Sequence, residues 1–476
     1  MIRFDVLPDD VLLDIFDFYV HHTSYQRTRA EVWQSLVHVC RRWRSLVFRS
    51  SRRLNLRLIC TPKTRTRDTL DTWPALPLIV EGDMAMQSDT DNIIAALGQS
   101  NRVCRVGLYD LANWQLEKVL AAMQVPFPEL TDLYLSTFDE KPPVINIPDS
   151  FLGGSAPRLR AFNLNGISFP GVPTLLSSAT HLVLLSLTDI PHSGYISPEA
   201  MVALLLALSS LEELDLQFQS SPSHLDLESR SLPPPKRSIL PALTTFDFRG
   251  VTEYLEDLVT IIDAPQLNIL QITFLDETDF RTQRLAQFIH RTPKLGKSDE
   301  AHVELDDRSA HVQFGTIRMF IICRERERRL SFVAQICNSS LPSTVEDLYI
   351  ERIYSQLDWQ NRAIENTLWV QLLLPFTAVK NLYLCKEFAP GIAAALREPV
   401  GARITEVLPS LQNFFVEGLE PSGPFQENIG QFVAARQLSD HPIAISDWHN
   451  EFGVELPIDL DSIDSINDSD SDVEWL

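Results

Sequence analysis

Ten times along the chain the same six positions recur in one register, apolar at the first, fourth and sixth and mostly polar between. The copies occupy residues 103–108, 130–135, 159–164, 182–187, 211–216, 243–248, 267–272, 345–350, 379–384 and 411–416. Their starts lie 27, 29, 23, 29, 32, 24, 78, 34 and 32 residues apart. The last three positions alternate apolar, polar, apolar, so an extended segment turns two side chains into a shared core. Prolines stand just ahead of six copies, at Pro128, Pro157, Pro241, Pro265, Pro342 and Pro409. Proline there stops a preceding helix and feeds an extended segment. Chance recurrence of leucine in a chain that is 45% hydrophobic does not keep one register through ten copies.

A repeat of this form at roughly 20–45 residues marks a solenoid of leucine-rich repeats. The predicted fold class is α/β, short parallel strands alternating with helices, each unit burying its face against its neighbours. Residues 54–58 and 76–80 alternate more weakly and read as degenerate first units. The interval of 78 residues between Leu267 and Val345 has room for two or three weaker units. Within it, residues 302–305 and 311–314 read as paired strands of an inserted hairpin. Residues 324–329 alternate Arg and Glu, which suits a solvated helix face. Residues 220–240 break the periodicity with Pro233, Pro234 and Pro235 and read as a polar loop.

The first fifty residues follow a different pattern. Pro8, Asp9 and Asp10 suit the first turn of a helix. Val11, Leu12, Ile15, Phe16 and Tyr19 then repeat at helical spacing. A polar interval spans residues 21–29. Trp33, Leu36 and Val37 lead into Val39, Cys40, Trp43, Leu46 and Val47, again at helical spacing. Arginines fill the positions between, and a solvated face is the reading for them. Three short helices with this much apolar surface leave some for a partner.

These residues resemble an F-box: Leu7-Pro8-Asp9-Asp10-Val11-Leu12-Leu13-Asp14-Ile15-Phe16, then Val39-Cys40-Arg41-Arg42-Trp43. The interval at 21–29 is longer than that family usually shows. The resemblance implies a three-helix module that docks on the Skp adaptor of a cullin–RING (SCF-type) ubiquitin ligase. Carried over residue by residue, the adaptor-facing side includes Leu7, Pro8, Val11, Leu12, Ile15, Phe16, Val39, Cys40 and Trp43. Together with residues 73–78 and 376–384, the arrangement resembles a large fungal family of F-box proteins with irregular repeats. It implies a substrate-recognition subunit with no bond chemistry of its own. The competing reading is a repeat scaffold outside any ligase, its N-terminal helices serving as a cap, because terminal repeats need capping. The domain division is 1–53, the F-box; 54–450, the solenoid; and 451–476, an acidic disordered tail.

Net charge of −22 is spread unevenly. Residues 1–67 carry 13 bases and 6 acids, and residues 451–476 carry 9 acids and no base, so the rest holds −20. That body disfavours nucleic-acid binding, which wants a basic groove. The tail is Asp- and Ser-rich; Ser469 and Ser471 suit an acidophilic kinase, residues 458–461 resemble a strand-adding motif, and solubilisation is the preferred reading. Six separated cysteines without a C-x-x-C pair, and no signal peptide at Met1, point to buried thiols in a reducing compartment, cytoplasmic and/or nuclear. No apolar run approaches the ~18 residues of a membrane span. No nucleotide, hydrolase or zinc signature is present, and His21-His22 lacks further ligands. No catalytic residue, metal or cofactor is therefore assigned, and surface or core roles are the default for His302 and His311.

The exposed positions of the repeats point to a binding face. In chain order the fifth position reads Gly107, Tyr134, Asn163, Ser186, Asp215, Asp247, Gln271, Tyr349, Tyr383 and Phe415. Aromatic residues on consecutive exposed positions are unusual for a solvated sheet, and tyrosine is favoured at binding hot spots. Tyr349, Tyr383 and Phe415 are the predicted recognition ladder for a protein substrate, joined by Asp215 and Asp247 in an acidic middle. Neighbouring carboxylates favour a basic or amide-rich segment. The alternative is that C-terminal residues of the chain cover these rings.

Overall fold

The computed structural model describes residues 7–22, 29–85, 90–137, 145–219, 237–275, 282–295, 298–306, 308–323, 325–340, 344–352, 366–397, 407–419, 424–438 and 441–448. The triple proline and the acidic tail lie outside these residues, as does most of the polar interval after the first helix.

Every hexad contains a strand. In nine of the ten the strand starts at the third position. Two short strands come first, β1 (Leu58–Cys60) and β2 (Leu78–Asp83). The hexads then supply β3 (Val103–Leu111), β4 (Asp132–Thr137), β5 (Ala161–Asn165), β6 (Leu184–Ile190) and β7 (Glu213–Phe218). Next come β8 (Ser238–Ile239), β9 (Thr245–Gly250), β10 (Ile262–Asp263) and β11 (Ile269–Phe274). The small strands β8 and β10 pair only with each other. Residues 54–57 turn rather than extend, so the alternation there yields a strand only from Leu58.

The proline ahead of the hexad has a more specific role than stopping a helix. At Leu130, Leu159, Leu267 and Leu411 the first-position N–H donates to the carbonyl three residues back, at 3.1–3.2 Å. Proline is the residue after that carbonyl in all four, where its fixed φ pre-sets a β-turn. The second-position carbonyl then accepts two N–H groups from the next unit. Thr131 O takes those of Arg160 (2.7 Å) and Ala161 (3.1 Å), and Glu346 O takes those of Lys380 (2.8 Å) and Asn381 (3.0 Å). This fixed junction sets the register, so first, fourth and sixth positions all point into one continuous core. Helices such as Pro198–Ala207, Thr252–Ile261 and Ala389–Arg397 close that core from the other side. One helix also caps the next: the Glu256 carboxylate accepts from Arg284 N (2.9 Å) and Leu285 N (2.6 Å). Those are unsatisfied donors at the start of Gln283–Arg291.

The 78-residue interval departs from the array. The paired strands foreseen there are β12 (Glu300–Leu305) and β13 (Ser309–Phe314), and a third strand follows, β14 (Ile317–Ile322). Instead of further leucine-rich units, an antiparallel meander fills the interior of the sheet. The order is β11-β14-β13-β12, continuing to β15 (Asp347–Arg352), β16 (Asn381–Leu384), β17 (Asn413–Glu417) and β18 (Ala444–Trp448). Among the described strands of this sheet only β13 runs against the rest, so 15 of those 16 share one direction. The Arg/Glu run at 324–329 also differs from its expectation. Arg328 pairs with Glu325 at 2.8 Å, but Arg329 is buried and donates to the Cys323 carbonyl.

At the N-terminus, α1 (Asp9–His22), α2 (Arg29–Val37) and α3 (Arg41–Arg49) pack on one another. The Trp33 ring meets Trp73 (5.2 Å) and Phe48 (6.1 Å) edge-on, and its Nε1 donates to the Arg57 carbonyl at 3.1 Å. The helices are thereby welded to the first strands, and their core is continuous with that of the sheet.

Candidate protein-interaction surfaces

In the helical module, burial divides the predicted stripe in two. Leu12 and Phe16 are each 0% exposed and form the module's core with Trp33, Val37 and Val47. They cannot face a partner as surface side chains; helix packing turns them inward. Val11 (38%) and Ile15 (43%) remain outside, as do Val39 (59%), Pro8 and Cys40. Leu7 and Trp43 are half-buried, and the Trp43 ring meets Phe16 edge-on at 4.7 Å. Phe18, absent from the expected set, is 65% exposed. It stands seven residues after Val11 and three after Ile15, so helical spacing alone puts it on their face.

Local contacts hold this surface in place. Cys40 caps α3, its sulfur accepting from Trp43 N at 3.4 Å, which makes it the exposed exception among six free thiols. Arg42 donates to the Leu7 carbonyl (2.6 Å) and to Asp9 (2.8 Å), tying the start of α1 to α3. Arg53 pairs with Asp14. Two of the arginines read as a solvated face therefore hold α1 in place, Arg42 from α3 and Arg53 from the turn after it.

On the sheet, register aligns the fifth positions into one row. It runs Asn163, Ser186, Asp215, Asp247 and Gln271, then Arg318, Gln313 and His302 of the meander. It ends with Tyr349, Tyr383, Phe415 and Ser446. The predicted ladder is thus brought together on adjacent strands, and the meander adds His302 to it. Ring centroids lie 4.4 Å apart for His302–Tyr349, 4.2 Å for Tyr349–Tyr383 and 4.6 Å for Tyr383–Phe415, all within 10° of parallel. Burial and the neighbouring Tyr383 push the Tyr349 hydroxyl well above its ordinary pKa. Burial lowers that of His302.

Trp448 on β18 also reaches the ladder, 5.4 Å from Tyr383 and 6.1 Å from Tyr349 at steep angles. One C-terminal side chain therefore touches the rings, while Tyr349, Tyr383, Phe415 and Trp448 all stay partly exposed. Beside the rings runs an amide chain: Asn413 donates to Asn381 (2.7 Å) and Asn381 to Asp347 (2.6 Å). His311 is buried against Phe320 (4.2 Å) with Glu304 3.3 Å from Nδ1, a core histidine.

The acidic middle is a separate place in the row. Asp215 accepts from Ser186 and Gln217, both at 3.0 Å. Asp247 lies beside it, and burial together with the Asp215 charge raises its pKa to about 7. Three meander strands separate Asp247 and Gln271 from Tyr349, so the acids and the rings occupy different stretches of the row. Among the described residues no group of His, Cys, Asp and Glu is arranged to hold a metal ion. No described helix is long and apolar enough to cross a membrane.

Residues 4–57 match the F-box-like family. No curated protein matches the chain. Among solved structures it is similar to the leucine-rich repeat-containing protein LegL7 from Legionella pneumophila: 14% identity, 79% of this chain, 97% of that one, TM-score 0.29. It is also similar to TLR13 in the TLR13–ssRNA13 complex: 12% identity, 83% of this chain, 49% of that one, TM-score 0.29. The protein is a mixed α/β chain whose F-box-like N-terminus stands ahead of a long, largely parallel sheet built on its leucine-rich hexads.

Proposed function

We propose that the chain is the substrate-recognition subunit of a cullin–RING ubiquitin ligase. The F-box-like helices bind a Skp-type adaptor, and the repeat array from about residue 54 holds the protein to be modified. One observation carries the reading: Val11, Ile15, Phe18 and Val39 stay exposed in the very residues that match the F-box-like family. Exposed apolar side chains clustered on a small module suit a protein partner. Such a subunit needs no catalytic side chain, because holding a substrate beside a conjugating enzyme raises rate by proximity.

The test is co-purification with a Skp-type adaptor. Wild type is expected to form a 1:1 complex that Ile15→Asp with Val39→Asp abolishes. Both positions are exposed, so the fold should survive, whereas replacing Leu12 or Phe16 would damage the module itself. Absence of a complex from folded wild type would reject the ligase reading. A second reading, a repeat scaffold capped by these helices, draws on the Trp33–Trp73–Phe48 cluster that closes the first strands. Capping and adaptor binding draw on different residues of the helices, so the two roles are compatible.

A further inference from the structure

Among the described residues the repeat array has no closing layer after β18. Helices Asn366–Leu373, Ala389–Arg397 and Pro424–Leu438 pack each on the next, and no described helix follows the last. Beside that helix, β18 pairs only with β17. Ile445 on β18 is the register neighbour of Phe414 and so holds the fourth position of an eleventh unit. That position is no more than 1% exposed in all ten hexads, yet Ile445 is only half-buried. The sixth position, opposite Val416, is the exposed Asp447, which accepts from Leu419 N at 2.9 Å instead of entering the core.

Between β18 and the helix Pro424–Leu438 runs a groove of about 340 Å³. It is mostly apolar: Leu419, Ile429, Gly430, Val433, Ala434 and Ile445 line it with two glutamines. A Cβ built on Gly430 would meet nothing within 4 Å, so the middle of the helix is open toward the groove. In a repeat array this is the place of a cap.

The sequence beyond Trp448 has the pattern of such a cap. Six residues, 418–423, link β17 to the helix Pro424–Leu438. The same link after Trp448 brings the next helix to Glu455. From there Leu456, Leu460 and Ile463 recur at i, i+4 and i+7, the spacing of one helical face. Pro457 falls in the first turn, where a missing N–H costs no intrahelical bond, and Glu455 stands at the end of the helix that favours an acid. A segment tethered this closely reaches an effective concentration on the order of millimolar at the groove.

We propose that residues 455–466 are the closing helix of the array, with Leu456, Leu460 and Ile463 seated in the groove against Gly430, Ala434 and Ile445. Burial of these three apolar side chains drives the docking. Ile445 shares β18 with Trp448, which lies against Tyr383 and Tyr349, so the closing helix also steadies one wall of the predicted recognition ladder. Closure of this end does not depend on the ligase reading.

The test compares hydrogen exchange in the full wild-type chain with that in a triple variant, Leu456→Asp with Leu460→Asp and Ile463→Asp. Amides of residues 455–466 are expected to exchange about tenfold more slowly in wild type. A fluorescently labelled peptide of residues 452–468 should bind the triple variant and bind wild type about tenfold more weakly, because wild type already fills its groove. Gly430→Leu, added to the triple variant, occupies the groove without disfavouring the helix and should weaken the peptide about tenfold. Absence of protection in wild type, or equal peptide binding by wild type and triple variant, overturns the proposal. So does indifference of the peptide to Gly430→Leu, which would put the segment on the open edge of β18 as an added strand. Protection that fades on dilution, with a doubled mass at high concentration, would assign the groove to a second copy of the chain and overturn it as well. Ile15→Asp should leave all these readings unchanged, so loss of adaptor capture and loss of closure are separate failures.

Discussion

The helical module and the repeat array are both built on apolar stripes, and they treat them in opposite ways. In the array the first, fourth and sixth positions are buried in all ten copies, from Val103 to Val416. In the module, the stripe on α1 splits: Leu12 and Phe16 go fully inside while Ile15, one residue from Phe16, stays 43% exposed. A strand has two faces and a repeat junction that fixes which is inward, so each apolar residue has one destination. A helix in a three-helix module has a narrower buried arc than its apolar arc. The remainder is available to a partner, and selection for binding and for stability act on different residues of one turn.

That contrast can be broken most directly at Trp33, where the two regions join. Trp33→Ala is expected to lower stability by about 3–5 kcal/mol in a urea melt, because a 1%-exposed indole leaves a cavity between α2 and the first strands. A smaller loss, of about 2–4 kcal/mol, is expected for Leu348→Ala, where the truncation lies within one repeat's core.

Asp247→Asn sharpens the comparison from the other side, since the exposed row also contains a stability cost. The folded pKa of about 7 lies above the ordinary 3.8, so the fold holds the proton more tightly than the unfolded chain. Wild-type stability should therefore fall as pH rises from about 4 to about 7 and level off above, with Glu351 adding to the same slope. Asp247→Asn should flatten part of that fall, raising stability by about 1–2 kcal/mol at pH 8 and changing little at pH 4. Thermal melts across that range measure it. Ile15→Asp is expected to move stability least, within about 0.5 kcal/mol, while abolishing adaptor capture. Destabilisation as large as that of Leu348→Ala would show that the exposed stripe belongs to the core after all.

The same contrast explains what could be read from the chain. The hexads announce their strands because burial on one face imposes a period, and the third-position starts follow from it. Asp347, Asn381 and Asn413 come into register for the same reason. The third strand of the meander left a trace in Ile317, Met319 and Ile321, which alternate like the strands before them. β18 left almost none: its side chains are exposed or half-exposed, so no face imposes a pattern, and the contact of Trp448 with the ladder was invisible. Nor could periodicity divide Leu12 and Phe16 from Val11 and Ile15, since neighbouring helical positions share a stripe and only packing chooses among them.

The path through the meander also bears on how the chain assembles. A solenoid can grow by adding each unit to the one just made. Here β12 is laid down three places from β11, about 14 Å away at the usual strand spacing, and β13 and β14 then run back to meet β11. Growth from the N-terminus therefore has no template for β12 until the returning strands close the gap. The strands before and after this seam are expected to unfold in two steps, and a strand-specific hydrogen-exchange profile would place the break at β13.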